Sequence, residues 1–153
     1  MAEEIGVRIA LPLVAGLIVG IIEAYFVYED ENMTSGRDFL KDMWHGLLFA
    51  VVGVLIASNV PWVMTNFIPE SFHSLLIVDD NGNSVVASAL ITVIMFFKMV
   101  ASHKVKGVSG RGFAEKPWHK LVVAALVGFA PYLLLVVGPF LKPVTSKLPE
   151  WIK

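Results

Sequence analysis

Cysteine is absent from the 153 residues of this chain. Its absence excludes disulfide bridges, thiolate metal sites, iron–sulfur clusters and a cysteine nucleophile. Charge is also scarce, because Asp, Glu, Lys and Arg make up 16% of the residues, against about 25% in soluble domains. The net charge of −1 disfavours a nucleic-acid partner, which needs a basic surface. Since 56% of the residues are hydrophobic, an ordinary soluble domain is excluded as well.

Catalytic motifs are missing too. The sequence has no phosphate-cradling glycine loop, no G-x-S-x-G motif and no H-E-x-x-H motif, which are the usual signatures of nucleotide, acyl-transfer and zinc chemistry. We therefore expect neither an enzyme nor a bound cofactor. At this length the chain is expected to form one domain, over residues 1–153.

Long apolar runs, by contrast, are present. A helix that crosses a hydrocarbon core of about 30 Å needs about 20 mostly apolar residues, and four segments are close to that length. They cover about residues 5–28, 44–64, 85–101 and 121–141. Tyr and Trp residues flank these runs, where amphipathic rings prefer to lie. The sequence predicts an all-α membrane protein with four transmembrane helices, the first of them retained because its acidic N-terminus is unlike a secretory signal.

The connection between the second and third runs has two interpretations. Asp80-Asn81-Gly82 lies at the centre of residues 75–86, and Asn-Gly suits the turn of a short β-hairpin. The alternative, which we favour, is a plain loop.

Basic residues predict the orientation, since Lys and Arg are retained on the cytoplasmic side. Eight lie in or beside the first and third connections: Arg37, Lys41, Lys98, Lys104, Lys106, Arg111, Lys116 and Lys120. Only Arg8, Lys142, Lys147 and Lys153 lie on the other side. We expect an integral protein of a prokaryotic plasma membrane with both termini outside.

An internal repeat is visible at an offset of 74 residues. Residues 35–50 read SGRDFLKDMWHGLLFA and residues 109–124 read SGRGFAEKPWHKLVVA, with eight of sixteen positions identical. Hydrophobic bias does not explain the shared Ser-Gly-Arg or the Trp-His pair behind it. The sequence predicts a tandem duplication of one helical hairpin, over about residues 5–66 and 84–142, of the parallel type found in some transporters.

Two charged residues lie near the cytoplasmic ends of predicted spans. Glu23 and Lys98 lie at similar depth, near the cytoplasmic ends of the first and third spans. An ionised group in a span usually faces a partner or a wet cavity, so one hypothesis is an ion pair between them. In the other, Lys98 extends to the head groups and Glu23 reaches interfacial water.

Histidines collect at the predicted cytoplasmic edge. His45, His103 and His119 lie there, with Asp42 close in depth, and imidazole and carboxylate ligands suit zinc, iron or copper. No known ligand spacing is present, so we expect no metal site and Trp-His pairs that anchor helices. His45, His119 and Asp42 remain the candidates for a metal, and His45 with His119 for a haem.

The repeated Ser-Gly-Arg has a local explanation. Ser35 is suited to cap a helix with Asp38 at the third position. The alternative is that Arg37 and Arg111 bind lipid phosphate beside helix N-termini. We favour capping combined with contact to lipid head groups over a dedicated site for a soluble ligand.

Helix contacts are indicated by small residues. Gly16 and Gly20 form a GxxxG motif that Ala24 continues, and such a strip lets another helix approach closely. Pro61 and Pro131 should bend the second and fourth helices, which frees carbonyl groups that need new donors. Asn59 is placed to supply one near Pro61, with a substrate contact as the less favoured role.

Two functions remain. Short loops, small-residue strips and interfacial aromatics favour an accessory subunit of a larger membrane complex, in contact with lipids and with other subunits or copies of itself. The alternative is a small oligomeric transporter or channel that uses Glu23.

One family resemblance favours the accessory role. The size, the four spans, the lack of Cys, and the segments Glu23-Ala24-Tyr25 and Asp42-Met43-Trp44-His45-Gly46 resemble small accessory subunits of archaeal copper-dependent ammonia monooxygenase. The resemblance implies membership of a membrane oxidoreductase complex whose larger subunits hold the copper. Their copper ligands have no matching positions in this chain, so none is transferred.

Overall fold

A computed structural model describes residues 7–31, 36–107 and 116–149, with side chains for 7–29, 43–101 and 116–149. Within these ranges every regular element is helical, which confirms the all-α expectation. In chain order they are α1 (Ala10–Glu31), α2 (Gly36–Ser58), α3 (Val60–Phe67), a 3₁₀ helix (Glu70–Leu75), α4 (Val85–Gly107), α5 (Pro117–Gly128) and α6 (Ala130–Thr145).

The predicted spans differ in continuity. α1 is apolar over the 20 residues Ala10–Glu29 and is long enough to cross a membrane, whereas the apolar part described for α4, Val85–Ala101, is shorter. The predicted second and fourth spans are each broken, with 83° between α2 and α3 and 72° between α5 and α6. The described residues thus hold one helix able to cross a membrane, or up to three if each bent pair is one span, and a total of four stays a prediction.

The two breaks, which we call the first and second hinge, fall at the prolines that the sequence singles out. Pro61 and Pro131 are the second residues of α3 and α6. At the start of a helix the missing N–H of proline has no consequence, but in a helix interior it would leave a carbonyl without a donor. The preceding helix therefore ends, and a new one begins in another direction.

Asn59 holds the first hinge. Its side-chain Nδ2 donates hydrogen bonds to the carbonyls of Leu55, at 2.8 Å, and Arg8, at 2.9 Å. Its Oδ1 accepts the backbone N–H of Arg8 at 2.7 Å. Asn59 is thus a donor to a carbonyl of the helix end, as expected from the sequence, and also fastens the segment that precedes α1. The second hinge, at Phe129, has no side-chain cap of this kind.

The connection before α4 is a turn rather than a β-hairpin, because residues 76–84 contain no strand. Asp79 Oδ1 accepts the N–H groups of Asn81, at 3.0 Å, and Asn83, at 2.7 Å. Gly82 takes a φ of +78°, which glycine adopts without steric cost. The hairpin interpretation was wrong because the side chain of Asp79 closes the turn before any strand pairing can begin.

Small apolar side chains lie inside the helical bundle and many large ones lie outside it, which is the opposite of a water-soluble protein. The core is formed by small residues with one methionine: Val19, Ala50, Val54, Met95, Val123, Ala124, Val127 and Ala130. Among the described residues the most deeply buried apolar side chains are alanines and valines, and the largest buried apolar side chains are Met64 and Met95. Large apolar side chains lie outside instead, for example Ile21, Ile94 and Phe97, each more than 60% exposed. Water-soluble proteins bury such residues, so this surface is suited to lipid.

Candidate functional site

Glu23 of α1 lies against α2 and is half-buried. Its carboxylate rests on Gly46, where an added Cβ atom would lie 2.7 Å from Cδ and less than 3 Å from both carboxylate oxygens. The Oε2 atom is fully shielded from solvent. Gly46 therefore makes room for a carboxylate within the helical bundle, and a larger residue there would displace it.

Lys98 of α4 reaches the same part of α2. Its ammonium lies over the ring of Phe49. Gly46 and Phe49 are three residues apart and so share one face of α2. The structure thus brings both predicted charges to neighbouring positions on α2, while the ion pair itself stays a prediction.

α5 contributes two buried polar side chains at the same end of the bundle. His119 is stacked on Phe26 of α1, with the ring centroids 4.1 Å apart and the planes 8° apart, and it meets the edge of Trp118. Lys120 is also buried. In the sequence analysis Lys120 served only to predict the orientation. Lys120 is the repeat counterpart of Gly46, and this correspondence was the available signal that a polar side chain lies at that position of the second hairpin.

The two histidines of the repeat have different surroundings. His45 is exposed on α2, whereas His119 is buried, so a shared role in holding a haem finds no support in their environments. No group of three metal-ligating side chains occurs among the described residues. The side chain of Asp42, the third candidate for a metal, lies outside them.

The small-residue strip of α1 contacts the backbone of α2. A Cβ added to Gly16 would lie 2.6 Å from Cα of Val51, and one added to Gly20 would lie 2.8 Å from Cα of Leu47. Ala24, one turn further on, is half-buried. The strip therefore lets the two helices approach closely and directs Glu23 to Gly46.

Other predicted residues lie at the end of the bundle or beyond the described side chains. Lys116 and Glu29 form an ion pair at 3.7 Å, with about half of each side chain exposed, so its contribution to stability is small. Ser35 and Arg111 lie outside the described residues, as does the side chain of Arg37. Their proposed capping and phosphate contacts stay predictions.

Comparison of the chain with protein-family models, with curated proteins and with solved structures finds no match. Function is therefore inferred from the residues of this chain alone. Their arrangement provides a carboxylate at Gly46 and an ammonium at Phe49 on one face of α2, and a buried imidazole stacked on Phe26 of α1, within an apolar exterior.

Proposed function

We propose that this chain is a non-catalytic membrane subunit that packs within a larger membrane complex. The observation that supports this best is the distribution of side-chain size among the described residues, with mainly alanines and valines in the apolar core and many large apolar side chains outside. In α4 these form one exposed face, with Leu90, Val93, Ile94 and Phe97. Lipid and neighbouring subunits are the two environments that stabilise such a surface.

The proposed topology has four spans in two hairpins, in which the second span of each hairpin bends at a proline. Both termini lie outside a prokaryotic plasma membrane. The absence of cysteine allows a direct test with single-cysteine variants at exposed positions of opposite ends, Ser71→Cys and Lys116→Cys. A membrane-impermeant maleimide added to intact cells should label the first and leave the second unlabelled, and the reverse pattern would invert the topology.

We propose a membrane oxidoreductase as the complex, such as archaeal ammonia monooxygenase, because of the resemblance around Glu23 and Trp44. Extraction in a mild detergent followed by size-exclusion chromatography and mass spectrometry should show stable association with foreign membrane subunits. A lone chain or a homo-oligomer would contradict the accessory role. Foreign subunits that hold no copper would contradict the oxidoreductase assignment and leave the accessory role in place.

Photo-crosslinking distinguishes protein contacts from lipid contacts at the exposed helices. A photoreactive residue at Ile94 of α4 and, in a separate variant, at Ile21 of α1 reports on two faces that are exposed to a similar extent. An accessory subunit should give a protein adduct of defined mass from at least one position. Lipid adducts alone from both positions and from the other exposed helices would contradict a complex.

The second candidate, a small transporter or channel, is favoured by one specific arrangement. A carboxylate lies inside the bundle at Gly46, and two helices are broken, as in transporters that bind ions at discontinuous helices. Cation flux into liposomes should then be lost in Glu23→Gln and retained in Glu29→Gln, which changes an exposed carboxylate of the same helix. Equal flux in both variants, or none in the wild type, would exclude this role.

A further inference from the structure

A cavity of about 410 Å³ lies at the end of the bundle opposite Glu23. It is half-open to the surroundings and is lined by the segment that precedes α1, by residues of both hinges and by the turn before α4. Its lining includes Arg8, Ser58, Asn83, Pro131, Leu134 and Leu135. The volume is within the range of small-molecule sites, and none of the sequence predictions pointed to it.

Two buried polar atoms of the lining have no hydrogen-bond partner. They are Ser58 Oγ and Asn83 Nδ2, and their residues are only 7% and 2% exposed. Buried polar atoms are almost always paired in folded proteins, because an unpaired donor forfeits its hydrogen bonds to water. Both residues line the cavity, so an occupant that offers oxygen acceptors would satisfy both atoms once the two side chains turn toward it.

Hydrogen bonds hold Asn83 and Arg8 in place beside the cavity. Asn83 donates its N–H to Asp79 Oδ1 at 2.7 Å and accepts the N–H of Asp79, also at 2.7 Å. Arg8 is fastened through its backbone to Asn59, and its guanidinium donates to the carbonyl of Asn81 at 3.2 Å. An unpartnered amide and an exposed cation are therefore fixed at one side of the cavity.

The remaining wall is apolar. Leu134 and Leu135 of α6 and Pro131 at the second hinge supply it, together with Leu11 and Pro12 of α1. The cavity lies where the apolar segment Ala10–Glu29 begins, which is the depth of lipid head groups if α1 crosses the membrane. An occupant therefore needs a polar head and an apolar tail.

We propose that this cavity binds one amphiphile with an anionic oxygen head. Asn83 Nδ2 and Ser58 Oγ donate hydrogen bonds to the head, the guanidinium of Arg8 balances its charge, and the tail lies along α6. A phospholipid phosphate and a fatty-acid carboxylate share this chemistry.

Native mass spectrometry of the delipidated chain in detergent tests the proposal with three probes. Dioleoyl-phosphatidylglycerol, oleate and inorganic phosphate are added separately. We expect one retained copy of phosphatidylglycerol or of oleate, and the one retained identifies the head group. Retention of inorganic phosphate at the same level, or no retained amphiphile, would overturn the proposal.

Two asparagines of the same turn provide the matched variants. Asn83→Ala removes the unpartnered donor and should lower occupancy at least about tenfold, as expected for a lost hydrogen bond to a charged group. Asn81→Ala changes an exposed side chain and keeps the carbonyl that Arg8 contacts, so occupancy should not change. Equal loss or equal retention in the two variants would contradict the assignment.

Thermal unfolding separates binding from folding. Without amphiphile, Asn83→Ala should unfold at or above the wild-type temperature, because it removes an unsatisfied buried donor. With amphiphile, the wild type should gain stability through mass action, and the variant should not. If Asn83→Ala does not fold, Ser58→Ala and Arg8→Gln serve instead, and we expect both to lose the rise in unfolding temperature that amphiphile gives the wild type. A full rise in both variants would overturn the site.

Discussion

The two hairpins predicted from the repeat bring their helices together by different contacts. In the first, Gly16 and Gly20 of α1 lie mainly against carbon atoms of Val51 and Leu47 in α2. In the second, Gly128 of α5 lies against Ser88 O and Thr92 of α4, where Thr92 Oγ1 also donates to Ser88 O at 2.8 Å. Close approach is thus common to both hairpins. The first combines this mainly apolar contact with the carboxylate of Glu23 at Gly46, whereas the second places its glycine directly against polar atoms.

Corresponding positions of the repeat agree in part. Trp44 and Trp118 are both exposed, at 64% and 54%, and Ala50 and Ala124 are both completely buried. His45 and His119 differ, since His45 is exposed whereas His119 is buried and stacked on Phe26 of α1. The repeat therefore preserves the inner and outer faces of the helices better than it preserves the surroundings of polar residues.

Gly128→Ala should have the largest effect on the second hairpin. The new methyl group would overlap backbone atoms of Ser88 and Thr92, which cannot rotate away, so we expect a loss of about 3 kcal/mol in the free energy of unfolding. Gly138→Ala is the matched control, because its methyl meets only the flexible side chain of Leu11, at 3.3 Å. Thermal unfolding in nanodiscs measures both, and equal losses would show that the polar contact is not special.

Gly16→Ala tests the apolar contact of the first hairpin. The added Cβ would lie 2.6 Å from Cα of Val51, so α1 and α2 must separate slightly at a cost of about 2 kcal/mol. Leu17→Ala, at the neighbouring exposed position, should cost less than about 0.5 kcal/mol, as is usual for surface substitutions. A Gly16→Ala variant as stable as the wild type would show that the strip does not set the helix separation.

Asn59→Ala tests whether the hydrogen bonds of Asn59 stabilise the first hinge, since the second hinge has no corresponding side chain. It removes three hydrogen bonds, two of them to Arg8, and should cost about 1–2 kcal/mol. Asn66→Ala removes the same kind of bond, from Nδ2 to the carbonyl four residues earlier, at an exposed site, and should cost about a quarter as much. Proteolysis of the N-terminal segment should also accelerate only in Asn59→Ala, and unchanged proteolysis would indicate that Asn59 does not fasten it.

Ser84→Ala has the smallest expected effect and concerns how the second hairpin begins. Ser84 Oγ accepts the N–H of Ala87 at 3.2 Å, as a helix cap does, and its loss should cost about 1 kcal/mol. Ser146→Ala, at an exposed site with a local bond to Pro143, should be neutral. Chemical unfolding of both variants measures the difference, and a neutral Ser84→Ala would mean that the turn closed by Asp79 is sufficient to start α4.

Much of the fold follows from local sequence. The apolar runs mark the helices, and Pro61 and Pro131 lie at both hinges. Proline alone does not determine a hinge, because Pro139 and Pro143 lie inside α6. The size of the bends does not follow, since hydropathy is the same for a straight span and for a bent one. The bends depend on what packs around the hinge, such as Asn59 against Arg8, which is 51 residues away in sequence.

The candidate sites were predictable to a smaller extent. Glu23 stands out as an acid in an apolar run, and the glycine strip indicates the face on which it lies. The contact of Glu23 with Gly46 depends on how helices distant in sequence approach each other, and so does the burial of Lys120. Ser58 and Asn83 carry no local signal, because unsatisfied atoms become apparent only when the hinges and the turn enclose a cavity.

The short length of α5 has a consequence for the surrounding bilayer. Its 12 residues rise about 18 Å at 1.5 Å per residue, whereas the apolar 20 residues of α1 rise about 30 Å, the thickness of a typical hydrocarbon core. If α5 and α6 form one bent span, α6, which leaves α5 at 72°, must supply the remaining height, or the acyl chains beside this flank must shorten. Such a hydrophobic mismatch would favour a thin membrane or a neighbouring subunit that fills the missing height.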